Sequence, residues 1–408
     1  MDSSHDEPAV VNAFRLWFLS RGGSFHADVR HVKVESGYAI LARKLLPADT
    51  IVVSCPFSLI ITPTVCREAL SKVLGGASVL EGWSERQLLC CYICFHWIID
   101  DAGGSFIITA HKPYIDILPN PSMLRTPLHF LEAELDLVNG TNLYGATLER
   151  KSAWLQEWER CQKDVSEVRP MYAEELTWER YLTASTYVSS RAFPSTLLSS
   201  PPSLVQTPDS YPILLPGVDS LNHARAHPVS WVVSSPSDPI SLSISLQPHT
   251  QIASGEEVFN NYGPKPNAEL LLGYGFTLPK NPDDTMVLKI GGDGHRRWEV
   301  GLEARGVEGL WVELLTALST QDEINGHFKW ETMLDAAGAL QSMLETLEAR
   351  LPKLDVSAEG VRGDVARMIE NYVAGQKAIL GGLIAFSRER EVEAIALAQK
   401  EGVEIHLE

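Results

Sequence analysis

Val10, Phe14, Trp17 and Phe18 recur near helical spacing, so residues 9–19 predict a short amphipathic helix. From residue 30 the period shortens. Val32, Val34, Tyr38, Ile40, Ile51, Val52, Val53, Ile60 and Ile61 fall in short β-rich runs, with turns at Ser36-Gly37 and Pro47-Ala48-Asp49. Residues 65–185 then read mainly as helix, rich in Trp, Leu and Glu, with a break from Pro113 to Pro127. A Ser/Pro-rich loop spans 194–212. Beyond it, Val229–Val233 and Ile240–Leu246 predict a hairpin, and a third short strand is expected at Glu257–Asn260, after the turn at Ser254-Gly255. Residues 300–408 return to helix, with Met368, Tyr372, Gln376, Ile379 and Leu383 near 3.6 spacing.

The pattern predicts an α+β protein. Two β-rich pieces form one lobe, a helical block is inserted between them, and a helical domain follows. The expected boundaries are 1–65 for the first part of the β lobe and 66–185 for the insertion. They are 186–284 for the second part of the lobe and 285–408 for the C-terminal helical domain. A chain of 408 residues is long for a single core, which agrees with several lobes.

The formal net charge of −18 and the absence of a Lys/Arg-rich run argue against nucleic acid as a partner. An acidic surface suits a basic protein substrate. The N-terminus, Met-Asp-Ser-Ser-His-Asp-Glu, has neither the basic start nor the apolar stretch of a signal peptide. The apolar run at 88–99 is too short to span a bilayer and contains His96. A soluble intracellular protein, cytoplasmic or nuclear, is expected. Of the six cysteines, Cys90, Cys91 and Cys94 lie in that run. Cys91 and Cys94 have no second pair to complete a zinc site, so they read as small buried hydrophobes in a reducing compartment.

Three segments carry candidate chemistry. In Leu215-Pro-Gly-Val-Asp-Ser-Leu-Asn-His223, an Asn-His pair with Asp219 upstream brings several hydrogen-bonding groups into a small space. His223 and His227 are four apart, but no third ligand is nearby and no metal is expected. In the segment from Ser254 to Phe276, a turn and strand lead to Asn-Asn-Tyr262-Gly, and a short helix is expected from Asn267 as cap. Tyr274 and Phe276 flank Gly275. In Ser190-Arg-Ala-Phe193, Arg191 can hold a carboxylate through a bidentate contact. Each segment alone also fits a structural role: core aromatics, or a surface arginine in an ion pair.

Together and in this order, they resemble the SET-domain protein methyltransferases of the Rubisco large-subunit methyltransferase type. The Asn-His segment precedes Tyr-Gly-x-x-x-Asn-x-Glu-Leu-Leu-x-x-Tyr-Gly-Phe. Glu35-Ser-Gly-Tyr-Ala-Ile-Leu-Ala42 is similar to that family's glycine turn, Lys112-Pro-Tyr-Ile-Asp-Ile-Leu-Pro119 to its inserted helical region, and Tyr372–Leu380 to its C-terminal substrate-binding domain. Two departures stand out. Ala39 replaces the second glycine of the turn, and no cysteine-rich segment follows Phe276. A Rossmann-type methyltransferase is disfavoured, because Gly291-Gly-Asp-Gly294 is not followed by a helical pattern.

The resemblance implies a protein-lysine N-methyltransferase using S-adenosylmethionine on a non-histone protein, such as a ribosomal protein or translation factor. It implies a monomer with no membrane partner. Tyr262 would be catalytic. Ser36, Gly37, Tyr38, Ala39, Arg191, Asp219, Asn222, His223, Tyr262, Tyr274 and Phe276 would bind cofactor. Phe193 and Tyr274 would line the acceptor channel. A protein-histidine methyltransferase and a non-catalytic SET-fold binding module are the alternatives.

Overall fold

The computed structural model describes residues 7–34, 37–101, 109–234, 242–290, 296–320, 328–353 and 359–404. The first helix, α1 (Ala9–Ser20), buries Val11, Phe14 and Phe18. Strands β1 (Ser24–Phe25), β2 (Val29–Val34), β3 (Gly37–Ala42) and β4 (Val53–Pro56) follow. Thr62 caps α2 (Pro63–Leu74) by accepting from the Val65 amide, Pro63 sits where a helix has no need of its N–H, and Gly75 ends it. The apolar run forms most of α3 (Glu85–Asp101). It is buried all round because α3 packs on both α2 and the later helix α8. All six cysteines are free and buried, and burial pushes the Cys90 thiol up to about 11.

Pro113 does not begin a helical break as expected. It stands in the first turn of the short helix α4 (Lys112–Asp116), where proline is compatible with helix. Next come α5 (Glu132–Asp136), α6 (Asn142–Val168), α7 (Pro170–Glu175) and α8 (Trp178–Arg191). The short strands β5 (Phe193–Pro194) and β6 (Pro212–Ile213) pair antiparallel. The expected hairpin is β7 (Val229–Val233) with β8 (Ser243–Pro248), although residues 235–241 lie outside the described residues. An antiparallel sheet has the order β1-β4-β8-β7, and β2 and β3 form a separate hairpin.

The chain continues with α9 (Asn267–Tyr274), β9 (Thr285–Lys289), β10 (Arg297–Gly301), α10 (Glu308–Leu318), α11 (Trp330–Arg350) and α12 (Gly363–Lys400). The C-terminal region is therefore not all helical. It opens with the β9–β10 antiparallel hairpin, on which Met286, Leu288 and Val300 are buried. Asn267 is not the expected cap of α9. That helix starts after Pro266, and the Asp284 carboxylate accepts from both the Asn267 amide N–H (2.6 Å) and its Nδ2 (3.0 Å).

The chain forms two compact units, residues 1–124 with 150–264 and residues 125–149 with 265–408. In the first, a single core joins Val29 and Ile40 of the β2–β3 hairpin, Leu89 of α3, Tyr181 of α8 and Leu246 of β8. The expected division between β lobe and helical insertion thus disappears into one core. In the second unit, Met286, Val300, Leu310, Leu340 and Leu383 form one cluster. Val138, Leu143, Leu271, Ile369 and Tyr372 form another. Residues 125–149 and α9 belong there because their apolar faces meet α12, so the expected boundary at 285 falls inside this unit. Arg125 pairs with Asp364, and Arg362 with the fully buried Glu134. Among the described residues, no helix is long and apolar enough to cross a membrane.

Candidate active site

The site is built where the segment 256–262 runs between two other stretches of the first unit. On one flank it follows β3: the Ala42 amide donates to Glu256 O (2.9 Å), and the Val258 amide to Ile40 O (2.7 Å). On the other flank the Asn260 amide donates to Asn222 O (2.8 Å), and the Ala224 amide to Asn260 O (2.9 Å). The strand expected at Glu257–Asn260 is therefore replaced by two isolated bridges, Leu41 to Glu257 and His223 to Asn260, because its two ends serve different partners.

Tyr262 ends this segment. Its amide N–H donates to His223 Nδ1 (3.0 Å), and its ring stacks on the imidazole, with centroids 5.0 Å apart and planes at 24°. The bond from the backbone makes Nδ1 the unprotonated nitrogen of a neutral ring. The Tyr262 hydroxyl donates to Leu221 O at 2.9 Å. A phenol whose proton is committed to a carbonyl presents its oxygen lone pairs as acceptors.

Arg191, the last residue of α8, donates through Nη1 to Asp219 O (3.0 Å) and Oδ2 (3.3 Å). Asp219 lies in a tight 3-10 turn, Val218–Ser220. Burial pushes its carboxyl up, with Arg191 and Tyr114 pulling the other way. Burial also works against the charge on Arg191, but the adjacent carboxylate outweighs it and the guanidinium holds its proton more firmly. Asn222 Nδ2 donates to Glu257 Oε1 at 2.7 Å. Burial raises the Glu257 carboxyl, and the bond from Asn222 opposes that.

Of the glycine turn, Ser36 lies outside the described residues. Gly37 opens β3 at φ 129°, a backbone setting that suits glycine. Ala39 pairs with Val32 inside the hairpin, is buried, and does not have a positive φ, so its methyl costs no backbone strain there. Tyr38, partly buried between them, has its phenol pushed up by burial. Phe193 in β5 meets Trp231 of β7 edge-on, with centroids 5.1 Å apart at 64°.

The structure thus brings Arg191, Asp219, Asn222, His223 and Tyr262 together by hydrogen bonds and ring contacts within one unit. Tyr274 and Phe276 belong to the other unit, where Tyr274 ends α9 and the two rings are 6.1 Å apart around the left-handed Gly275. Sequence reading missed Tyr114, Glu257 and Trp231 as partners of the site. Tyr114 stands 105 residues from Asp219 and Glu257 35 from Asn222, so no local spacing links them. Among the described residues, no group of three or more His, Cys, Asp or Glu is placed to hold a metal ion.

No family model matches the chain. Individual proteins do. Ribosomal lysine N-methyltransferase set10 of Schizosaccharomyces pombe is 32% identical over 278 residues, covering 67% of this chain and 46% of the relative. The actin-histidine N-methyltransferase of Drosophila melanogaster is 23% identical over 309 residues, covering 71% of this chain and 53% of the relative. The chain spans about half the length of these curated relatives. A solved SET domain of LSMT, bound to lysine and AdoHcy, superposes with a TM-score of 0.74 at 18% identity, covering 96% of this chain and 94% of that one. This last likeness is one of fold, and it includes the α+β architecture expected from the sequence. The chain thus has the SET-type α+β fold and is similar to the SET-domain protein methyltransferases of the Rubisco large-subunit methyltransferase type.

Proposed function

We propose that the chain is a protein-lysine N-methyltransferase that uses S-adenosylmethionine and acts on a non-histone protein, with ribosomal proteins as the first candidates. The carrying observation is the Tyr262 hydroxyl, donated to Leu221 O beside the Arg191–Asp219 and Asn222–Glu257 pairs. The activity named for the 32%-identical relative supports the choice of lysine and of ribosomal protein. Six free, buried thiols support a reducing compartment, cytoplasm or nucleus.

The residues present fit the cofactor. Asp219 Oδ1 is a buried acceptor with no hydrogen-bond partner among the described residues, and the paired Arg191 side chain keeps 23% of its surface exposed. When bound, S-adenosylmethionine supplies an electrophilic methyl group on a sulfonium sulfur. Arg191 and Asn222 would hold its amino-acid end. His223 and the turn from Gly37 to Ala39 would hold the adenosine side.

The acceptor must be neutral to react. A lysine ammonium costs about 4 kcal/mol to deprotonate at neutral pH. An apolar channel lowers that cost by disfavouring the charged form. Tyr262 supplies an acceptor oxygen that receives an amine N–H and so orients the nitrogen lone pair. A phenol is a weak base at neutral pH, so its part is orientation. The aromatic pair Phe193–Trp231 favours an alkyl chain over an imidazole, which needs a polar partner to fix its tautomer.

The test is incubation of the full chain with isotope-labelled methyl donor and ribosomal fractions, followed by mass spectrometry of the labelled band. Methylated lysine in a ribosomal protein is expected. Label on imidazole alone, or no protein label from whole extract, refutes the proposal.

A further inference from the structure

Tyr114 is buried on the short helix α4, and its hydroxyl donates to Asp219 Oδ2 at 2.7 Å. The same carboxylate oxygen accepts from Arg191 Nη1, which also holds the Asp219 backbone carbonyl. Two donors are thus committed to Oδ2. Among the described residues the other oxygen, Oδ1, has none, although the Asp219 side chain is only 1% exposed. A buried carboxylate oxygen without a donor is costly, and such groups are normally satisfied. The folded chain accordingly keeps one acceptor for a donor that arrives with a ligand. That acceptor belongs to a carboxylate paired with a guanidinium whose side chain keeps 23% of its surface exposed, so a negative and a positive group stand side by side. A free amino-acid group, carrying an ammonium and a carboxylate, has the complementary charges.

We propose that Tyr114 is a positioning residue: by fixing Asp219 Oδ2, it keeps Oδ1 and Arg191 set to receive the ammonium and carboxylate of the methyl donor's amino-acid end. This rests on the proposed use of S-adenosylmethionine. Tyr114 touches no ligand in this scheme and acts through Asp219. Without its hydroxyl the carboxylate can rotate, and Oδ1 and Oδ2 become interchangeable toward Arg191.

The test compares two probes by calorimetry on the full chain. S-adenosylhomocysteine carries the amino-acid end. 5′-Methylthioadenosine carries the adenosine and sulfur without it. Tyr114→Phe keeps the ring and removes the hydroxyl. It should weaken S-adenosylhomocysteine binding about tenfold and leave methylthioadenosine binding within about twofold of wild type. Equal weakening of both probes, or of neither, overturns the role of Tyr114 and leaves the methyl-donor reading standing. Failure of the wild-type chain to bind S-adenosylhomocysteine overturns both.

If Tyr114→Phe does not fold, the wild-type chain alone carries the test. The charged and titratable groups around Asp219 are Arg191 from α8, Tyr114 from α4 and Cys55 from β4. Burial raises the Asp219 carboxyl, so acidification neutralises it more readily than a free aspartate. The preference for S-adenosylhomocysteine over methylthioadenosine should then shrink as pH is lowered across the range in which the chain stays folded. A preference constant over that range overturns the proposal.

Discussion

Glu257 holds the side-chain amide of Asn222: Nδ2 donates to Oε1 at 2.7 Å, across 35 residues of sequence. The carboxylate accepts only, so the amide nitrogen must face it and Asn222 Oδ1 must face away. Glu257→Ala should release that orientation and weaken S-adenosylmethionine binding about fivefold, as expected for a lost hydrogen bond of about 1 kcal/mol. Calorimetry decides, and an unchanged dissociation constant would show that Asn222 needs no such support.

Tyr262→Phe removes the hydroxyl but keeps the ring stacked on His223 and the amide bond to Nδ1. Turnover should fall about tenfold or more, the scale of a positioned catalytic group, while cofactor binding changes little. A variant with wild-type turnover rules out Tyr262 as the catalytic residue.

Phe193 and Trp231 form an edge-to-face pair. If they line the acceptor channel, Phe193→Asn places an amide where an alkyl chain should pass, and lysine methylation should slow about tenfold. The readout is the initial rate on the identified lysine peptide, with cofactor affinity as control. An equal rate removes Phe193 from the channel.

Gly275 ends α9 in the left-handed region at φ 79°. A Cβ there would stand 3.0 Å from the Arg125 carbonyl carbon and 3.1 Å from the Thr126 nitrogen, both backbone atoms that cannot step aside. Gly275→Ala should destabilise the second unit by about 1–3 kcal/mol, combining the conformational cost with overpacking. Urea unfolding measures it, and a midpoint equal to wild type would contradict the geometry.

Asp284 is pushed up from 3.8 to about 6, chiefly by burial, with its bonds from Asn267 opposing. A carboxyl raised on folding contributes stability that is full below its unfolded value and is lost as pH rises through the folded one. Unfolding free energies of wild type and Asp284→Asn should therefore diverge between pH 4 and about 6, with wild type losing ground as pH rises. Ground gained over that interval would show that the Asn267 contacts outweigh burial.

Where one element decides its own conformation, the sequence was legible. The α1 stripe, the β7 strand and the long α12 repeat all appear where their periodicity put them. The residues of the Asn-His and Tyr-Gly segments meet, with the Tyr262 amide on His223 Nδ1 and the two rings stacked. Glu257 to Asn260 was misread because its apolar-polar alternation is real but its two ends pair with different stretches. Asn267 was misread because a good cap residue was assumed to cap, whereas Asp284 does so from 17 residues away. Tyr114 lies in the segment likened to the inserted helical region, but its bond to Asp219 could not be read there, since that partner sits in a turn 105 residues further along the chain.

The second unit is assembled from residues 125–149 and 265–408, and its Arg125–Asp364 pair spans 239 residues. During synthesis, Val138 and Leu143 leave the ribosome long before Ile369 and Tyr372, which cover them, exist. At ordinary elongation speeds that interval is roughly ten to fifty seconds. For that time the stretch lacks the α12 face that completes its cluster, with Leu271 and Leu272 of α9 arriving in between. A premature stop before α12 would leave that cluster half built.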